Sequence, residues 1–301
     1  MFSVRFWGVR GSIPCPGPNT AKYGGNTSCL EIRADERLII VDLGTGLKPL
    51  GDWLLANDLK KNGKIDADVF VTHTHWDHIM GFPSFAPVFV PAATLRIRGP
   101  VPFEKDSLES ILGVLFSYHY WPICQKKLAA NINYEEIQET VIDLGGGLKV
   151  TTKFLNHTLV CLAYRFEYQG KSIVTAFDHE PYLNIFPDDP DGHGYNENAV
   201  KEGELAAAEE SRKLIDFFRG ADILIHDAQY IATEYAPRLG WGHSEFGHAM
   251  DNAANAGVKK LVFYHHEPKR TDDELERLEK NCLNNTAPQL FMAREMMTLE
   301  A

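Results

Sequence analysis

Four side chains able to bind a metal ion fall within six residues: His73, His75, Asp77 and His78, in the run Thr72-His-Thr-His-Trp-Asp-His78. Imidazole nitrogens and carboxylate oxygens hold Zn²⁺ and similar divalent ions when no thiolate is offered. The apolar residues Val69 to Val71 lead into the motif as a strand would, and Gly81 and Pro83 close it. In an extended backbone alternate side chains share a face, so His73 and His75 point the same way and can grip one ion. A helical start at Trp76 would present Asp77 and His78 to a second ion beside the first.

Three more candidates stand at expected strand ends. His157 follows Lys153 to Leu155, Asp178 follows Ile173 to Phe177, and His265 follows Leu261 to Tyr264. Strand ends are rigid and can converge from distant positions. We assign His73, His75 and His157 to one ion, and Asp77, His78 and His265 to the other, with His266 as the alternative to His265. Asp178 bridges, because a carboxylate has two oxygens. The expected cofactors are two divalent ions per chain, Zn²⁺ first, with Mn²⁺ or Fe²⁺ as alternatives. Such a pair lowers the pKa of a shared water from about 15.7 to roughly 7, giving a bridging hydroxide as nucleophile. Asp77 is counted with the catalytic residues as well. Asp42 is read either as a hydrogen-bond acceptor behind the ligands or as a turn former before Gly44, and Gly44-Thr-Gly46 as a weak candidate for phosphate approach.

The elements that must position these residues follow from periodicity. Alternation predicts strands over residues 2–7, 29–33, 37–41 and 94–98, then over 141–153 around a Gly145-Gly-Gly147 turn, and over 161–168, 172–176, 223–225 and 261–264. Helical spacing predicts helices over 47–59, 107–116 (capped at Asp106 or Ser107), 204–218 and 245–256 (capped near Ser244). A last helix opens on the capping box Thr271-Asp-Asp-Glu274 and runs to about Leu283. Prolines at 83, 87, 91, 100 and 102 break up the segment after the motif. The aromatics Tyr118, Tyr120 and Trp121 are expected mostly in the core, and residues 184–203 as a mobile loop. Two groups of strands with helices between them predict two packed sheets with helices outside, a four-layer αββα sandwich. We expect one metallo-hydrolase domain over 1–301, with insertions at about 99–140 and 184–203.

The net charge of −11 disfavours a large nucleic-acid footprint, which needs a basic face. The five scattered cysteines lack any C-x-x-C pair and read as thiols in a reducing compartment, so a cytoplasmic location is expected. No apolar stretch is long enough for a membrane span. Neither nucleic acid nor a membrane is the expected partner, and a homodimer is left open.

The motif and its three distant partners resemble the metallo-β-lactamase fold superfamily. Gly8-Val-Arg-Gly-Ser12, Gly24-Gly-Asn-Thr-Ser28, Asp42-Leu-Gly-Thr-Gly46 and Gly242-His-Ser244 are similar to its phosphodiesterase branch, which includes ribonuclease Z and the cyclic phosphodiesterase of phosphonate breakdown. The resemblance implies a di-metal hydrolase of αββα fold with every ligand position filled. It also implies that His243 lies near the scissile phosphate, where it stabilises charge or protonates the leaving group, partnered by Asp227 at a strand end. The expected activity is hydrolysis of a small or cyclic phosphodiester. Lactone, ester or thioester hydrolysis and tRNA 3′ processing are the alternatives, the last opposed by the charge and by the lack of a long glycine- and lysine-rich arm. The di-iron redox proteins of this fold replace one histidine with a carboxylate, a change not evident here.

Overall fold

The computed structural model describes residues 1–101, 106–282 and 288–301. The first half of the chain supplies β1 (Phe2–Gly8), β2 (Cys29–Ala34), β3 (Arg37–Val41), β4 (Ile65–Phe70), β5 (Ala93–Pro100) and β6 (Asn131–Ile137). The second supplies β7 (Val141–Gly145), β8 (Leu148–Leu155), β9 (Cys161–Tyr168), β10 (Lys171–Ala176), β11 (Ile223–Asp227), β12 (Lys260–Tyr264) and β13 (Gln289–Met292). A final strand, β14 (Thr298–Glu300), crosses back to pair with β1. Among the described residues these form two seven-stranded sheets, ordered β14-β1-β2-β3-β4-β5-β6 and β13-β12-β11-β10-β9-β8-β7.

Burial alternates as the strand period requires. Phe6, Leu30, Ile32, Phe70, Tyr164, Phe166, Ile225 and Tyr264 meet between the two sheets. The opposite faces are covered by helices: Ile40 and Val69 pack with Leu47, Leu50 and Leu54, and Val174 and Leu224 pack with Phe218 and Ala253. The result is helix, sheet, sheet, helix, as expected, because each sheet is apolar on both faces and must be covered twice. Strands β3 to β6 run parallel, as do β10 to β13, so the carboxyl ends of β4, β10, β11 and β12 open on one edge of the sandwich. Crevices outside such ends are where parallel sheets hold their ligands.

Several boundaries differ from the sequence expectation. Residues 131–137 form a strand where none was expected, because β6 is an edge strand whose outward positions are polar. The short strands β13 and β14 were not expected either. The helix expected from Glu204 starts seven residues earlier, at Glu197, because the Asn196 side chain accepts from the Asn198 and Ala199 amides and caps it. The irregular segment before it therefore ends at 196 and not at 203. The first helix continues past Leu59, through Lys60–Asn62, to Gly63, which takes a left-handed φ of 71°. Glu245 and not Ser244 caps the Phe246–Asn255 helix, while the Ser244 hydroxyl donates to the His179 carbonyl. Tyr118 and Tyr120 are exposed (72% and 66%), and only Trp121 packs on the core. Ser107 caps the Leu108–Val114 helix and Thr271 pairs with Glu274, as expected. The expected helix end at Leu283, and Pro102, lie outside the described residues. No helix among the described residues is long and apolar enough to cross a membrane.

Candidate metal centre

The chain leaves β4 extended, with His75 at φ −60° and ψ 152°, and enters a helical turn at Trp76–Ile79. That switch puts His73 and His75 on one side, their ring centroids 4.6 Å apart, and swings Asp77 and His78 to the other. His157 arrives from the loop after β8, Asp178 from the end of β10, and His265 from the end of β12. All seven expected ligands are brought to one place. His73, His75, His157 and Asp178 offer ligand atoms within 4.8 Å of one another, and so do Asp77, His78, Asp178 and His265.

Asp178 divides its two oxygens between the sets. Its Oδ2 lies 3.4 Å from His73 Nε2 and 3.7 Å from His157 Nε2, while its Oδ1 lies 3.2 Å from both His78 Nε2 and His265 Nε2. Asp77 Oδ2 is 3.1 Å from His265 Nε2 and 3.3 Å from His78 Nε2. Two donors bound at 2.0–2.1 Å to one tetrahedral ion stand about 3.3 Å apart, so these spacings suit two ions sharing Asp178.

The hydrogen bonding also fits ions. His73 Nε2 and Asp178 Oδ1 are buried with no hydrogen-bond partner among the described residues, a costly state unless a cation takes the lone pairs. Burial drives His73 well below the ordinary imidazole range. Burial would also lower His78, but the Asp178, Asp77 and Asp42 carboxylates outweigh it and hold that ring well above its usual value. Asp178 and Asp77 are lowered despite burial, by His265, His78 and His73 for the first and by His78 and His265 for the second. Four non-glycine residues around the cluster, Ser12, Asp42, Asp178 and His265, hold φ at 61°, 63°, 48° and 62°. Such angles persist only where the surroundings enforce them.

The outer ring nitrogens of His78, His265 and His157 each find an oxygen. Asp42 Oδ2 is 2.7 Å from His78 Nδ1, and its Oδ1 accepts from the Thr72 amide at 2.7 Å, which decides the role left open for Asp42. Gln229 Oε1 is 3.0 Å from His265 Nδ1, and the Gly242 carbonyl is 2.8 Å from His157 Nδ1. A carbonyl can only accept, so His157 carries its proton on Nδ1 and turns Nε2 inward. The Ser12 amide donates to Asp77 Oδ2 at 2.7 Å. Ser12, Gln229 and Gly242 were not singled out as partners of the ligands. Gln229 carried a signal, standing two residues after Asp227 on the same face, but a backbone carbonyl leaves none.

The glycine-rich motifs build the frame of the centre. A Cβ on Gly242 (φ 85°) would lie 2.2 Å from His157 Nδ1, and one on Gly11 2.4 Å from the His265 ring. Thr27 and Thr45 exchange amide-to-hydroxyl bonds of 2.9 Å, and the Gly44 amide donates to the Ser28 carbonyl. Gly44-Thr-Gly46 is thus engaged in bracing the ligand loop, not in cradling a phosphate. Arg10, fully buried, donates to the carbonyls of Gly24 and Arg270 and locks three loops together.

His243 completes the site. Its ring stacks on His265 with centroids 5.0 Å apart, and its Nδ1 lies 2.8 Å from Asp227 Oδ2. Burial would lower this imidazole, but Asp227, with Asp178 and Asp77 behind it, raises it to about 9. Glu180 accepts from the amides of Gly240 and Gly242 and holds the loop that carries it. Beside His157 opens a cavity of about 620 Å³ lined by Glu180, Tyr182, Leu183, Ile185 and Leu239. His266 is turned away, 2.8 Å from the Ala293 carbonyl, so His265 faces the cluster. His119 and His193 are exposed and remote from it.

Residues 23–170 match the family described as the metallo-beta-lactamase superfamily, and the chain carries a domain of that family and is a hydrolase of its fold. A ribonuclease Z of Synechococcus sp. (strain CC9311) is 23% identical over 329 aligned positions, covering 99% of this chain and 98% of that protein. The metallo-beta-lactamase fold protein YhfI of Bacillus subtilis superposes with a TM-score of 0.65 at 19% identity, over 100% of this chain and 99% of that one. A diphosphatase from the PhnP family superposes with a TM-score of 0.62 at 17% identity, over 100% and 98%. A ribonuclease among the relatives runs against the expectation, drawn from net charge, that nucleic acid is disfavoured as a partner. Bulk charge is an average and does not report the field at one face.

Proposed function

We propose that this hydrolase cleaves phosphodiester bonds, with a small or cyclic phosphodiester as its substrate. The observation that carries the reading is His243, braced by Asp227 and stacked on His265, beside a cluster that divides around Asp178 into two donor sets. The nitrogen and oxygen donors suit Zn²⁺. When bound, two such ions would neutralise phosphoryl oxygens and supply an activated water.

The chain's own residues do the rest. Asp42, Gln229 and the Gly242 carbonyl fix the tautomers of His78, His265 and His157, so the donors are aimed before any ion arrives. Asp227 accepts from His243 Nδ1 and leaves the Nε2 proton free for the departing oxygen, which needs it when the leaving group is an alkoxide. The Asp227 carboxylate also stabilises the imidazolium before transfer. The adjoining cavity, bordered by Leu183, Ile185 and Leu239, is of a size for one nucleoside-like group.

A second reading, RNA 3′-end processing, is favoured by the ribonuclease Z relative that aligns over nearly the full chain. The same test separates them. Zn²⁺- and Mn²⁺-loaded protein is assayed on a ribonucleoside 2′,3′-cyclic phosphate, bis(p-nitrophenyl) phosphate, a precursor tRNA and a lactone. The cyclic phosphate should turn over, and His243→Ala should lower its kcat about 10²- to 10⁴-fold. The p-nitrophenyl ester, whose leaving group needs no proton, should lose far less. A higher kcat/KM on precursor tRNA would replace the first reading with the second. Lactone hydrolysis without phosphodiester hydrolysis would overturn both.

A further inference from the structure

A second set of histidines converges behind the centre, on the helix-covered side of the second sheet. One ring nitrogen from each of His179, His226 and His248 lies within 4.8 Å of the other two. Their ring centroids form a near-equilateral triangle with sides of 5.8, 5.8 and 6.1 Å. Three imidazoles bound at 2.0–2.1 Å around one ion would have centroids about 5.5 Å apart, so small side-chain movements close the set.

Strand alternation explains how neighbouring residues serve two clusters. Asp227 turns its carboxylate to His243, while His226, one residue earlier on β11, points to the opposite face among Phe218, His179 and His248. His226 Nδ1 lies 2.6 Å from the Asp227 carbonyl and must donate to it, which leaves the Nε2 lone pair facing the cluster. His248 and Asn252 stand four residues apart on one face of the Phe246–Asn255 helix. Asn252 Nδ2 is 3.2 Å from His226 Nε2 and 3.0 Å from His248 Nε2. His179 is fully buried, and neither of its ring nitrogens has a hydrogen-bond partner among the described residues. Burying such a ring unpaired is costly, and nothing in the centre described above uses it.

We propose that His179, His226 and His248 form a third metal site, for one Zn²⁺ per chain, with the Asn252 side-chain oxygen as its fourth donor. Turning the amide places Oδ1 where Nδ2 stands, at separations close to the roughly 3.3 Å between two donors on one tetrahedral ion. Burial keeps His226 and His248 neutral, the latter lowered to about 4, so their lone pairs are free for an ion at neutral pH. With four protein donors the site is closed, and its role is structural. It ties the helix to the ends of β10 and β11, the same segments that carry Asp178 and Asp227. The site does not rest on the phosphodiesterase reading.

The test is metal content. The full chain and its His248→Ala variant are stripped, reloaded with Zn²⁺, passed through gel filtration and analysed for zinc per chain, alone and in a His73→Ala/His75→Ala background. His248→Ala should lower the content by one Zn²⁺ per chain in both backgrounds. Equal zinc in parent and variant would overturn the site, whatever the first centre holds. If the variant does not fold, crystals of the unaltered chain grown with Zn²⁺ decide. An anomalous peak at the zinc edge between the three rings supports the site, and no peak there overturns it, independently of peaks at Asp178.

Discussion

Replacing Gly242 with alanine separates backbone strain from displacement of a ligand. Gly242 holds φ at 85°, and an alanine there costs about 1–2 kcal/mol, which in a chain of this size lowers Tm by about 2–3 °C. The new Cβ would also stand 2.2 Å from His157 Nδ1, against the 3.4 Å of an ordinary contact, so ring and loop must part by about 1.2 Å. A zinc bond tolerates only about 0.2 Å, so His157 cannot remain a ligand without the loop giving way. Since the Gly242 carbonyl also fixes the His157 tautomer, we expect zinc affinity at one of two ions to fall at least 10- to 100-fold. Gly240→Ala is the control: it has nearly the same φ, 84°, and nothing within 4 Å of its Cβ, so it should show the Tm loss alone. Titration of each apo variant with Zn²⁺ against a competing chelator, alongside thermal unfolding, reads both effects. If Gly242→Ala binds both ions as tightly as Gly240→Ala does, His157 is not a ligand in this posture.

Gly11→Ala should injure the other donor set, because its Cβ would lie 2.4 Å from the His265 ring while adding no positive-φ strain. The same chelator competition should show the second ion weakened and the first retained. Asp42→Asn can offer an amide donor to His78 Nδ1 where a carboxylate accepted, so zinc affinity should drop about 10- to 100-fold with secondary structure unchanged by circular dichroism. An unaltered affinity would return Asp42 to the status of a turn residue. His266 is buried and lowered to about 3 by desolvation first, then by Arg10. Its folded pKa lies below the unfolded value near 6.5, so the unfolded chain binds the extra proton. The stability it contributes is complete above about pH 6.5 and is lost towards pH 3, at up to about 1.4 kcal/mol per pH unit. Denaturant unfolding of His266→Gln between pH 6 and 4 should show a shallower fall than the parent, and parallel curves would refute the assignment.

Much of the centre was legible in residues alone because its signals are local. Alternation after Val71 places His73 and His75 on one face, a bridging role needs two oxygens and suits Asp178 at a strand end, and His157 and His265 likewise follow strand-like runs. The two-sheet architecture was legible for the same reason: buried strands carry continuous apolar runs, whereas the edge strands β6 and β14 do not and were missed. Tertiary structure alone decided between His265 and His266, since both follow the same strand and only the hydrogen bond to the Ala293 carbonyl shows that the second is turned away from the cluster. It also decided which oxygen orients each ring. The acceptor for His157 is a backbone carbonyl 85 positions away, and no residue type announces a carbonyl. His179, His226 and His248 are spaced too irregularly to form a motif. They meet because parallel crossovers bring β10 and β11 side by side and lay one helix across their ends, a convergence set by sheet order and not by any local period.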